Sequence, residues 1–345
     1  TFAIDDTGYV LTGGREGGNL LADFYKYDAT MDSWEQLPDF PGGARSYSYG
    51  LTYDEMGYVG FGVGTEGYFN DLWKFDPASE TWTALSDCPC IGRAHPAFVA
   101  ANNKIYVGLG SNNGNLKDWW EYDIATDSWN QKTDFPALER HHPYYFSIGD
   151  MVYAGFGHGS SIFKDLYEYN AASNSWTQMA DLPAQGRVAG SQFSFNGKGY
   201  IISGEGDDHG HLPEGEFWEY DPQSNSWAQL PSHPGEGRWA PGTFIIDDKF
   251  ELIRNHFPNN FRIIGILSDR SFEIKSDYKA TMSIIRKILL IIFGISAIYF
   301  LIIQNWLILI IFILFILFDF IYLKIKADKE IKIFTDNKKN IQNVL

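Results

Sequence analysis

Cysteine is almost missing: the chain of 345 residues has two, Cys88 and Cys90. Two thiols cannot staple a fold of this length, and alone they make no zinc site. On the sequence they read as incidental loop residues. Positive charge is scarce as well, since residues 1–249 hold 35 acidic and 14 basic side chains. Such a balance argues against nucleic acid or an anionic membrane surface as the partner of this part. No initiator Met and no signal peptide precede Thr1, so the N-terminus is expected to be processed or truncated. Long apolar runs are lacking until residue 284. Residues 250–345 differ in kind: they hold 13 basic and 8 acidic side chains, and Ile and Lys replace Gly, Trp and Pro. A shift of that kind marks a domain boundary at Lys249.

What the first part does have is a phrase written five times. One Arg per copy stands at Arg45, Arg93, Arg140, Arg187 and Arg238, at spacings of 47 to 51 residues. Tyr9, Tyr58, Tyr106, Tyr153 and Tyr200 sit in apolar runs that close on Gly13, Gly62, Gly110, Gly157 and Gly204. An aromatic–polar pair follows (Tyr122-Asp123 in the third copy), and then a Trp at Trp34, Trp82, Trp129, Trp176 or Trp227. Each copy splits into four short aromatic and β-branched runs bounded by Gly, Asn, Asp and Pro, which is the pattern of strands. Four strands in a period near 45 residues is the arithmetic of a propeller blade. A single blade cannot bury its own face, so the repeated rings are expected to seal one blade against the next.

The Gly closing the second strand, the Tyr-Asp pair and the spaced Trp resemble the kelch repeat over residues 1–248. The second Gly of the usual pair is present only in the first copy, Gly13-Gly14. The resemblance implies an all-β kelch-type β-propeller with five recognisable four-stranded blades. These either close as a small ring or belong to a six- or seven-bladed one, the numbers common in kelch proteins. Thr1-Phe-Ala-Ile-Asp-Asp6 and Thr243-Phe-Ile-Ile-Asp-Asp248 match, so the chain begins and leaves the repeat at one phase.

Chain direction alternates within a blade, so the loop before the first strand and the loop between the second and third share one face. That face gathers the five arginines with His95, His141, His142, His158 and the run Glu205-Gly-Asp-Asp-His-Gly-His211. Bridging between blades accounts for a repeated Arg; so does a ring of forked donors for carboxylates or hydroxyl-rich ligands. Kelch proteins commonly bind partners on this face, with Arg in the pocket. The resemblance therefore implies Arg45, Arg93, Arg140, Arg187, Arg238, His95, His141 and His158 as ligand-binding residues. Asp207, Asp208, His209 and His211 have metal-compatible side chains without a ligand spacing, so no metal and no cofactor is expected. The reading is a non-catalytic recognition module for a protein or a glycan. Its rival is a carbohydrate enzyme of the galactose oxidase or sialic acid mutarotase type, for which no catalytic residue declares itself.

After a mixed stretch at 249–283, residues 284–323 are apolar except for Gln304-Asn305 and Asp319. Twenty helical residues span about 30 Å, a bilayer core, so two transmembrane α-helices in a hairpin are expected. A basic polar tail, 324–345, follows. Positive flanks on both sides of the hairpin would keep the propeller cytoplasmic, whereas resemblance to exported kelch proteins points to the other side. A kelch fragment joined artificially to an unrelated membrane protein would give the same pattern.

Overall fold

The computed structural model describes residues 1–276 apart from 15–17, 29–30, 32, 211, 213–215, 233–236, 247–248, 254–262 and 269–270, together with Leu317 and Lys324. Thr1–Ser276 form one compact unit. The third copy shows how a blade is made. Its strands are Ala97–Ala101, Lys104–Gly108, Trp119–Asp123 and Ser128–Lys132, paired antiparallel in that order. Asn102 and Asn103, both with positive φ, turn the first hairpin. The first two strands are almost wholly buried and the last faces solvent on most of its residues, so burial falls from the inside of the blade outward.

All five copies fold this way. The innermost strands Phe2–Ile4, Tyr49–Tyr53, Ala97–Ala101, Tyr144–Ile148 and Ser191–Phe195 lie side by side in chain order. Four strands from beyond the fifth copy, Gly242–Ile246, Lys249–Ile253, Ile263–Ser268 and Ser271–Ser276, pair into a sixth four-stranded sheet. Its first strand lies against Phe2–Ile4, where Thr1 Oγ1 donates to the Thr243 carbonyl at 3.3 Å. The blade pattern thus continues past the change of composition at Lys249, through a stretch that reads as mixed sequence.

Blades are joined by the residues that repeat. The indole N–H groups of Trp129, Trp176 and Trp227 donate to Ser86, Thr133 and Ala180 carbonyls of the preceding blade at 2.7, 3.0 and 2.9 Å. At the same seams Asp127, Asn174 and Asn225 accept the main-chain N–H of Ser86, Thr133 and Ala180 at 2.8, 2.9 and 2.8 Å. Tyr122, Tyr169 and Tyr220 hydroxyls hold those same side chains. The expected Trp seal therefore exists, but at the rim: these three rings and Trp82 are half-buried and Trp34 is 51% exposed. The closing glycines form a second, inner set of joints. Gly13, Gly62, Gly110, Gly157 and Gly204 donate to the carbonyls of Arg45, Arg93, Arg140, Arg187 and Arg238 in the next copy at 2.7 to 2.9 Å. At Gly110 φ is +90° and a Cβ would lie 2.6 Å from the Ala94 carbonyl, so only glycine fits.

Cys88 and Cys90 lie buried in the loop between the second and third blades and are joined as a disulfide, so they are a local tie of that loop. The hairpin expected over 284–323 and the tail at 324–345 lie outside the described residues, save Leu317 and Lys324. Among the described residues no helix is long and apolar enough to cross a membrane.

Candidate functional site

The repeated arginines fold inward. Arg45, Arg93, Arg140 and Arg187 are fully buried. Each meets a carboxylate at the start of its own blade's third strand: Asp71, Asp118, Asp165 and Glu216, at 2.6, 2.7, 2.5 and 2.8 Å. In the first three the pairing is forked, both terminal nitrogens meeting both carboxylate oxygens. The remaining donors go to main chain; Arg93 Nε reaches the Ile91 carbonyl at 3.1 Å and Nη1 the Leu109 carbonyl at 3.0 Å. Arg140 is also sandwiched between Phe135 and Phe163, at 4.7 and 4.1 Å from the ring centroids. Arg187 is the exception, since Glu216 takes one bond and its Nε and Nη1 find no partner among the described residues. These four guanidinium groups pin the loop before the first strand to the loop between the second and third. Burial pushes the Asp118 carboxyl upward, but the bonds and charge of Arg93 and the Trp120 indole N–H outweigh it and leave its pKa below the usual value.

Pinning those loops places two further positions of each copy. The residue after the Arg pairs with the residue after the closing Gly, as in the bridges Ala94–Ser111, His141–His158 and Val188–Glu205. The next residue turns with positive φ in every copy: Tyr47, His95, His142, Ala189 and Ala240. These residues are linked in series, His142 N to His95 O at 3.2 Å, Ala189 N to His142 O at 3.5 Å and Ala240 N to Ala189 O at 2.6 Å. One residue per blade thus steps from each loop to the next, and their side chains meet. His95 stacks on His142 with ring centroids 3.6 Å apart. Tyr47 closes on His95 at 4.0 Å and Trp239 on His142 at 4.9 Å. His141 reaches His142 through a 2.8 Å Nδ1–Nδ1 contact and His158 at 5.2 Å between centroids. His158 touches His209 at 4.7 Å, and His209 Nδ1 meets Glu205 Oε2 at 2.9 Å.

With this geometry in view, residues 1–137 match the family model described as the KLHDC2/KLHL20/DRC7 Kelch-repeats domain. The three blades within residues 1–137 thus match kelch repeats, and the blades after them share the propeller fold. No curated protein matches the chain by sequence. Among 406 solved chains that match its fold, YjhT is 19% identical with a TM-score of 0.64, covering 79% of this chain and 95% of its own.

In the propeller's ring cluster four imidazoles, His95, His141, His142 and His158, are held below the usual histidine range. Burial, and then the neighbouring His141, depress the His95 pKa to about 3. Burial followed by the other imidazoles depresses His142 further, and the same causes lower His141 and His158. His142 is 6% exposed, and its Nε2, like His95 Nδ1, finds no partner among the described residues. No group of three or more His, Cys, Asp or Glu among those residues is arranged to hold a metal ion. The chemistry on offer is that of aromatic faces, neutral imidazoles and one carboxylate.

Of the residues expected to bind ligand, His95, His141 and His158 come together. Arg45, Arg93, Arg140 and Arg187 lie beneath the loops, and Arg238 contributes the main-chain joint to Gly204. The fold adds Tyr47 and Trp239, and it brings into the cluster His142 and His209, which the sequence places on this face without a binding role. Tyr47 and His142 stand two residues after Arg45 and Arg140, and Trp239 follows Arg238, so phase with the Arg was the signal. Ile91 and Leu138, both two residues before an Arg, are exposed at 53% and 54% in the loops of this face.

Proposed function

We propose that the propeller is a non-catalytic recognition module that takes a protein partner on the face bearing the histidine cluster. The observation carrying the reading is that Tyr47, 44% exposed, stands over a packed imidazole stack while Ile91 and Leu138 are exposed in the neighbouring loops. Exposed aromatic and aliphatic side chains gathered on one face mark a protein-binding patch. Kelch repeats over residues 1–137 are consistent with it. A sugar-acid enzyme would need an accessible arginine to grip the substrate carboxylate, and Arg45, Arg93, Arg140 and Arg187 are buried, each against a carboxylate of its own blade. We extend the proposal to the tail, whose apolar residues 284–323 suit a membrane hairpin by length and hydropathy.

Site-directed photocrosslinking tests the reading. A benzophenone side chain at Leu138 should capture partner, and one at Asn103, in a turn on the opposite face, should not. Crosslinks from Asn103 alone would overturn it.

A further inference from the structure

We propose that the mouth, if it is the recognition surface just described, receives a basic side chain, an arginine or lysine of a protein partner. The Tyr47 and Trp239 rings would hold it, with Glu205 as counter-charge. Charge is the first argument. The four buried arginines are neutralised by Asp71, Asp118, Asp165 and Glu216. Among the described residues, the side chains that meet at this mouth of the ring (Tyr47, His95, His141, His142, His158, His209, Trp239 and Glu205) include no Lys or Arg. Residues 1–249 carry 35 acidic against 14 basic side chains, a field that draws cations toward the domain and repels anions.

Ring geometry is the second argument. Tyr47 and Trp239 both contact the His142 ring, at 6.0 and 4.9 Å between centroids, so two aromatic side chains border the same imidazole. An aromatic face attracts a cation through its quadrupole, and the His95 and His142 imidazoles, kept uncharged by burial, add no repulsion. On the Trp239 side the His209 ring stands 5.9 Å away and carries Glu205 on its Nδ1. Glu205 is largely but not wholly buried, its side chain 17% exposed, so it is within reach of an incoming donor. The exposed Ile91 and Leu138 argue for a side chain delivered by a protein rather than a free small cation. A neutral sugar would use the rings but has no need of the charge pattern.

The experiment titrates the full-length chain with three probes by tryptophan fluorescence and calorimetry: the blocked peptide Gly-Arg-Gly-Arg-Gly, its glutamate counterpart, and maltotriose. The arginine peptide should bind saturably and the other two should not. Tyr47→Ala and Glu205→Gln should each weaken it about 5-fold or more, while Tyr47→Phe retains it. Asp150→Asn, an exposed acid in a turn on the opposite face, serves as control and should change nothing. Circular dichroism melting of each variant separates loss of binding from loss of fold. If maltotriose or the glutamate peptide binds instead and Tyr47→Ala abolishes it, the mouth is a recognition surface but the cation assignment is wrong. If Asp150→Asn weakens the arginine peptide as much as Glu205→Gln, the attraction is only the general field and the inference falls. Binding by no probe also overturns it.

Discussion

Replacing Asp118 by Asn strikes one of the four joints that pin the loops of the mouth. The Arg93 guanidinium is fully buried, and it would keep its bonds to the Ile91 and Leu109 carbonyls while losing its counter-charge. Two charge-assisted bonds of 2.7 Å disappear or weaken, and the Trp120 indole N–H, 2.7 Å from the same carboxylate, is left on a neutral acceptor. Removing one member of a buried pair costs about 3–5 kcal/mol, because the remaining charge stays buried without compensation. The Asp118 side chain is 24% exposed, so water relieves part of this and the expected loss is about 3 kcal/mol. Urea unfolding followed by tryptophan fluorescence reads it as a lower midpoint at unchanged slope. The double replacement Arg93→Met with Asp118→Leu should recover most of the loss, since both charges go together. Glu216→Gln supplies an internal comparison. Among the described residues Glu216 is the one partner of the buried Arg187 guanidinium, and it is 13% exposed against 24% for Asp118, so the loss there should be at least as large, about 3–5 kcal/mol. A loss below about 1 kcal/mol for Asp118→Asn, or a double variant no better than the single one, would refute the reasoning.

Gly110→Ala should destabilise by roughly 1–3 kcal/mol on thermal melting, whereas Gly114→Ala, with open space and no positive φ, should be near neutral. Trp129→Phe should cost about 1 kcal/mol in urea by removing the donor to the Ser86 carbonyl while keeping most of the ring. His95 and His142 have folded pKa values below their unfolded ones, so the unfolded chain binds more protons at acid pH. Their contribution to stability is complete above about pH 6.5 and is lost as the pH falls toward 3, and His95→Phe should flatten the melting-temperature profile in that window. For the proposed membrane hairpin, a single Cys placed at Asn305 in a Cys-free chain should react with an impermeant thiol reagent on intact cells, and one at Asn337 should not. Labelling at Asn337 alone would reverse the topology, and labelling at both would leave one spanning helix.

The blades were legible in the sequence because each strand is fixed by neighbours a few residues away. Alternation, turn residues such as Asn102-Asn103, and the Tyr-Asp and Trp positions repeat wherever the same local geometry is needed. The arginines' carboxylates Asp71, Asp118 and Asp165 recur 25 or 26 residues after their Arg, in phase with it, and they tie each Arg within its own blade where bridging between blades was expected. What the arginines do was not legible, because burial depends on how loops from distant parts of one blade fold over each other. The sixth sheet was hidden for a related reason: its strands after Lys249 have lost the repeat's signature residues and keep only their pairing and their place beside Phe2–Ile4. The mouth is the most tertiary feature of all. Tyr47, His95, His142 and Trp239 come from four blades, one or two repeats apart in the chain, and their phase with the Arg does not by itself say that their side chains meet. Only the closing of blades around an axis brings one residue from each loop to a common centre, and that decides which side chains meet.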